Sequence, residues 1–268
     1  LINNATELQK VPTIDATLIW IAGATIVGGA LSMFVAGLLS FTLLAPWVSS
    51  MVSYAVGVLL AAAFLHLIPE AFMQAENIEA LSATALAGLI GFFVLEKAAL
   101  WRHHHEPLDA RHAGVAHSRR TGLLIVVGDG FHNFVDGVLI AAAFMADIRL
   151  GIMTTIAIVA HEVPQEVGDF MILLHAGYSR RRALLLNFGS SMMSVIGGLT
   201  GYLALNDAQD AIPYILVLAA ASFVYIALAD LIPDLHRRND VRSILTQMLF
   251  VGAGIVTILV SQEWLHGH

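Results

Sequence analysis

Eight apolar stretches, each long enough to cross a bilayer and each separated from the next by polar residues, constrain this chain more than any other feature of it. A hydrocarbon core of about 30 Å is crossed by about 20 apolar residues in an α-helix. Inside that core every backbone N–H and C=O must be satisfied within the protein, which leaves helices or closed barrels. Barrel strands need only about 10 residues of alternating character; blocks of this length read as helices. The expected spans are 15–40, 48–69, 80–101, 121–145, 150–176, 183–205, 211–234 and 243–265. The composition agrees: of 268 residues 58% are apolar and 12% charged, with a mean hydropathy of +0.79, whereas soluble domains carry about 25% charged residues. A cytosolic enzyme, a nucleic-acid binder and a disordered chain are excluded together. The expected fold class is an all-α integral membrane protein, one transmembrane domain over 1–268, with lipid as its surroundings and no nucleic-acid partner. Residues 1–14 lead into a first span too long for a signal-peptide core, so a cleaved signal is not expected.

The 13 Lys and Arg residues are distributed unevenly. Lys97, Arg102, Arg111, Arg119 and Arg120 lie at or after the end of span three; Arg180, Arg181 and Arg182 follow span five; Arg237, Arg238 and Arg242 follow span seven. Only Lys10 and Arg149 fall on the other side. The positive-inside rule then places both termini outside the cytoplasm and the long loop 102–120 within it. That loop holds His103, His104, His105, Glu106, His112 and His117, a set suited to weak metal capture. With no cysteine in the chain, a metal site must be built from His, carboxylates and amides.

A short motif occurs twice. AFLHLIPE (63–70) closes span two and ALADLIPD (227–234) closes span seven, aligned without gaps. The two spans run in opposite directions, so the motif falls near opposite faces, as an inverted repeat of helices 1–3 onto 6–8 around a central helix 4/5 pair requires. The same segments place His66 and Glu70 near the outer end of span two, and Asp230 and Asp234 near the inner end of span seven, where a cation pathway would enter and leave.

Ionisable residues at bilayer depth are costly and mark function. They gather in spans four (VVGDGFHNFVDGV) and five (IVAHEVPQEVGDF). Asp129, His132/Asn133 and Asp136 share one helical face, as do His161/Glu162, Gln165/Glu166 and Asp169. His132 with Asp136, and His161 with Gln165, are i, i+4 pairs that aim two imidazoles, a carboxylate and an amide oxygen at one point, a ligand set suited to Zn²⁺. Asn133 and Glu162, turned by about 100°, form with Gln165 a second, oxygen-rich position. On that arrangement Glu162→Ala is expected to act more gently than His132→Ala. Pro164 withholds an N–H from the carbonyl of Ala160. Glu166 and Asp169, one turn further on, are candidates for the pathway, and Gly128, Gly130, Gly137 and Ala141–Ala143 are expected to let spans four and five approach closely.

HNFVDG (132–137) and HEVPQEVGDF (161–170), with HLIPE (66–70) and the Glu96–Lys97 pair, resemble the signature helices of the ZIP (Zrt-, Irt-like protein) metal transporters, in the subfamily with H-N-x-x-D-G and H-E-x-P-H-E motifs. The resemblance covers nearly the whole chain. It implies uptake of a divalent transition metal, typically zinc, through a binuclear centre, with Cd²⁺, Fe²⁺ and Mn²⁺ as further candidates. By position, His132, Asp136, His161 and Gln165 would hold the first metal, and Asn133, Glu162 and Gln165 the second. Gln165 stands where the subfamily usually has His, and Ser194 where other branches place a Glu. The resemblance implies a carrier in the cell (cytoplasmic) membrane and no enzyme; the metal is cargo rather than cofactor. A homodimer is compatible with it. The alternative is an intramembrane zinc-dependent hydrolase, for which HEVPQE begins like HExxH but lacks the second His.

Overall fold

A computed structural model describes residues 15–41, 45–104, 115–236 and 240–266. The chain is all-α over these residues. In order, the helices are α1 (Ala16–Phe41), α2 (Ala45–Ala62), a π-helical segment Ala63–Leu67, α3 (Ile68–Gln74), α4 (Ile78–His104), α5 (Val115–Ala146), α6 (Ile148–His175), α7 (Arg180–Ser191), α8 (Met193–Asn206), α9 (Ile212–Tyr225), a second π-helical segment Ile226–Leu231, α10 (Ile232–Leu235) and α11 (Val241–His266). Six stretches among the described residues are long and apolar enough to cross a membrane: Ala16–Leu38, Ser49–Gln74, Ile125–Ala146, Arg180–Asn206, Gln209–Leu231 and Val241–Ser261. The protein is therefore a multi-pass integral membrane protein. The apolar part of α4, Ile78–Val94, is shorter, and α6 is interrupted by Glu162, Glu166 and Asp169.

Helix starts follow from short polar side chains that satisfy the free N–H groups of a first turn. Asp15 caps α1 through the Thr17 N–H, Asn77 caps α4 through Ala80, Asp147 caps α6 through Arg149 and Leu150, Ser179 caps α7 through Arg182, and Asp240 caps α11 through Ser243. The Asp15 carboxyl lies below the usual carboxylate range because it accepts from the Thr17 N–H and from the Tyr202 hydroxyl; the latter bond, at 3.0 Å, ties α1 to α8. At the end of α6, Gly177 takes a positive φ of 82°. It closes a Schellman turn, with Tyr178 N–H on Leu173 O and Gly177 N–H on Leu174 O.

Two departures from uninterrupted spans matter later. Span six is broken at Met192, where Ser190 bonds back to the Leu186 and Asn187 carbonyls and Ser194 to that of Ser191; such back-bonding competes with the helix ladder. Spans two and seven each contain a π segment, and these fall on the two copies of the repeated motif, with His66 in one and Asp230 in the other.

Packing is organised around α5 and α6. These two touch each other; α5 also packs on α8 and α9, and α6 on α1 and α2. On the flanks α4 packs on α9, and α11 on α2. Exchanging spans 1, 2, 3 and 4 for 6, 7, 8 and 5 maps each of these pairings onto another. The closest approaches run through glycine. A Cβ at Gly137 would collide with the Ser194 carbonyl, one at Gly197 with the Phe134 carbonyl, and one at Gly57 with the Val251 carbonyl. Gly130 likewise meets Ser190 and Met193, while Gly128 meets nothing within 4 Å. Gly130 and Gly137 of span four thus meet span six rather than span five, on a flank of α5 about 100° round from Asp129 and Asp136. Gly197→Ala should therefore destabilise the protein by about 2–3 kcal/mol or more through overpacking against backbone. Gly91→Ala, at an open position, should not, and thermal unfolding in detergent separates the two.

Candidate metal centre

The polar stripes of α5 and α6 face each other. His132 and Asp136 are held one above the other on α5, and His161 and Glu162 come from the turn of α6 that precedes Pro164. His132 Nε2 lies 3.3 Å from His161 Nε2. Asp136 Oδ2 stands 3.6 Å from His132 Nε2 and 3.4 Å from His161 Nε2; Glu162 Oε1 stands 3.7 and 3.8 Å from the same two nitrogens. All four donor atoms fall within 4.8 Å of one another. Four ligands arranged tetrahedrally at about 2.0–2.1 Å from a zinc ion stand about 3.3–3.4 Å apart, and five of the six edges here measure 3.3–3.8 Å, with the Asp136–Glu162 edge within 4.8 Å.

The electrostatics point the same way. Asp136 and Glu162 are buried, and among the described residues no hydrogen-bond donor reaches any of their four carboxylate oxygens. Leaving a buried carboxylate without a donor is expensive, and a divalent cation among these atoms would remove that penalty. His161 is oriented for the purpose: its Nδ1 donates to the Ala157 carbonyl at 3.1 Å, which leaves Nε2 as the free lone pair. The Phe223 ring of α9 meets the His161 ring edge-on at a centroid distance of 6.1 Å. His132 is the most accessible of the four, its side chain 26% exposed against 1%, 1% and 4% for Asp136, His161 and Glu162.

The other expected ligands are arranged differently. Asn133 and Gln165 both donate their amide groups to Asp129 Oδ1, at 3.2 and 3.0 Å. Asp129 thereby fixes which end of each amide it meets and leaves the carbonyl oxygen, the only end able to bind a cation, on the far side. A narrow cavity beside the cluster is lined in part by Asn133, Glu162, Ser194, Thr25 and Thr155. Glu162 thus joins the two imidazoles and Asp136, while the Gln165 amide nitrogen is engaged by Asp129. Sequence spacing places Asp129 on the stripe, yet its part in orienting both amides follows only from the fold. Asn187, which sequence reading offers with Ser190 as a partner for Glu166 and Asp169, reaches the Glu166 carbonyl, whereas Ser191, which holds the Glu166 carboxyl, carries no distinguishing signal in the sequence.

The pathway candidates are dispersed. His66 is buried in its π segment, which packs against α9. Glu70 accepts from Gln74 at 2.7 Å. Asp230 is exposed, and Asp234 lies in α10 with its side chain outside the description. Glu166 is fully buried and Asp169 half-buried, on successive turns of α6 beyond the cluster. Among the loop histidines, His105 and His112 lie outside the described residues. His103 and His104 end α4 and His117 lies in α5, with side chains outside the description.

Residues 102–262 match the family described as ZIP Zinc transporter. The chain is 31% identical over 226 residues to Zinc transporter ZIP13 of Pongo abelii, a match covering 78% of this chain and 65% of the relative. It is 39% identical over 150 residues to Zinc transporter ZIP10 of Homo sapiens, covering 52% of this chain and 18% of that protein. Against Zinc transporter ZIP4 of Homo sapiens the figures are 39% over 142 residues, 52% and 22%. The chain thus spans slightly under two thirds of the first relative and about a fifth of the other two.

The geometry changes the expected ranking of substitutions. His161→Ala, Asp136→Ala and Glu162→Ala should each weaken Zn²⁺ binding by about 100-fold or more, whereas Gln165→Ala, whose amide is held by Asp129, should cost about tenfold. Competition against a zinc-sensitive dye in detergent checks the order.

Proposed function

The chain belongs to the ZIP zinc transporter family, and we propose that it carries Zn²⁺ across its membrane through the centre between α5 and α6. The observation that supports this best is the set of four buried donor atoms at zinc-sized spacing, two of them on carboxylates with no hydrogen-bond donor. The names of the relatives, all zinc transporters, agree.

The reading extends to topology. Eight spans, with α4 and α6 added to the six apolar ones, put both termini outside and the loops bearing Arg102, Arg180–Arg182 and Arg237 in the cytoplasm. The exchange symmetry of the helix contacts and the paired π segments support an inverted repeat of spans 1–3 and 6–8. The membrane is the cytoplasmic one in this reading, and transport runs inward. A homodimer is compatible with it.

In the centre, His132, Asp136, His161 and Glu162 hold the cargo ion. Asn133 and Gln165, held by Asp129, offer amide oxygens to a second ion in the adjoining cavity, with Ser194 on its wall. Ligands drawn from two helices can be pulled apart by a relative shift of those helices, and imidazole with carboxylate releases more readily than a four-thiolate cage. His66 and Glu70 serve the outer approach, and Glu166, Asp169, Asp230 and Asp234 the inner one. His103, His104, His105, His112 and His117 capture emerging metal. Cd²⁺, Fe²⁺ and Mn²⁺ are competing cargoes, since each accepts imidazole or carboxylate. The hydrolase alternative finds no support in the family, and Glu162 stands among the ligands rather than apart from them as a general base.

Purified protein in vesicles loaded with a zinc-sensitive dye should show saturable Zn²⁺ entry, and the His132→Ala, Asp136→Ala double variant should fall to the rate of empty vesicles. A folded parent that binds Zn²⁺ and moves none would overturn the proposal.

A further inference from the structure

We propose that a separate, oxygen-only cation site lies one helical turn from the metal centre, formed by the carboxylates of Asp129 and Glu166 and the amide oxygen of Asn187, and that it takes a hard divalent cation such as Mn²⁺. Its place as the next station for a departing ion rests on the transport reading above; its ability to bind a cation does not.

Asp129 precedes His132 by three residues on α5, and Glu166 follows Glu162 by four on α6, so both lie on the side of the centre nearer the Arg180–Arg182 end of the bundle. Asn187 comes from α7, which begins at those arginines and packs against both helices. Each of the three side chains has one polar atom engaged. Asp129 Oδ1 accepts from Asn133 and Gln165, Glu166 Oε1 accepts from the Ser191 hydroxyl, and Asn187 Nδ2 donates to the Glu166 carbonyl at 3.0 Å. The next turn of α7 reaches both carboxylates, since Ser191 holds Glu166 and its neighbour Ser190 faces Asp129.

What is left over is one oxygen from each residue. Asp129 Oδ2, Glu166 Oε2 and Asn187 Oδ1 are buried and have no hydrogen-bond partner, in residues exposed by only 6%, 0% and 2%. Asn187 donates to the Glu166 backbone carbonyl, its side chain stands beside the Glu166 carboxyl, and its Oδ1 is left without a partner. Three such acceptors are costly to bury, and a cation joining them would remove that cost. The ligand set differs in kind from the centre: carboxylate and amide oxygens without imidazole suit Mn²⁺, Mg²⁺ or Ca²⁺ rather than Zn²⁺. A zinc ion drawn from two imidazoles would be held weakly here and would pass on.

The test uses the full chain in detergent, with Mn²⁺ alone as the probe and electron paramagnetic resonance as the readout. The His132→Ala, His161→Ala variant should still bind Mn²⁺ in a stoichiometric complex whose spectrum lacks imidazole nitrogen couplings. Adding Asp129→Asn with Glu166→Gln should abolish that binding, and adding Asn187→Leu alone should weaken it by about tenfold or more. Absence of Mn²⁺ binding in the two-histidine variant would overturn the proposal. So would binding that keeps its affinity after the oxygen ligands are changed, or that shows nitrogen couplings. If the carboxylate variants fail to give a monodisperse protein, the Asn187→Leu result decides. Zinc uptake by the parent is measured separately, so a failed transport reading and a failed site are told apart.

Discussion

A carboxylate inside an apolar bundle needs a counter-charge, and the bundle surrounds Asp136 and Glu162 with two imidazole nitrogens at 3.4–3.8 Å and, among the described residues, no hydrogen-bond partner. The rest of the architecture serves that arrangement. Two helices must approach closely enough for short side chains to share one point, and their outer faces must be packed tightly enough to keep them there. Gly137 and Gly197 let α5 press against α8 nearly backbone to backbone, so that the ligand face of α5 is turned toward α6. On the other side α1 and α2 support α6. An unpaired acidic pair therefore becomes a binding site instead of a defect, because the surrounding packing does not let it relax.

Much of this was legible in the residues. Apolar blocks of bilayer length set the helices, and the polar stripes of spans four and five set the faces that meet. The repeated LIP motif marked the two segments that turn out π-helical. Less legible was the choice between neighbours. His161 and Glu162 differ by about 100° around the helix, so spacing alone divides them between two positions. The fold brings the donor atoms of both within 4.8 Å of those of His132 and Asp136. Gln165 has the spacing of a ligand, but Asp129 competes for its amide, and no periodicity reveals which bond forms.

Span six shows another limit. Hydropathy reads 183–205 as one helix, whereas Ser190 and Ser194 bond back to backbone carbonyls and divide it at Met192. The same break turns Asn187 and Ser191 inward, toward Glu166. The glycines of span four were read as serving span five, although Gly130 and Gly137 meet span six. Sequence tells that a small residue permits close approach; which neighbour takes the opportunity is a property of three-dimensional packing.

The π segments at Ala63–Leu67 and Ile226–Leu231 each hold one residue more than an α-helical turn requires. That surplus is topological slack. Relative to an uninterrupted α-helix it turns the residues that follow by about 100°. His66 and Asp230 sit within these segments, so each copy of the repeated motif carries its polar residue at the point where the helix register changes.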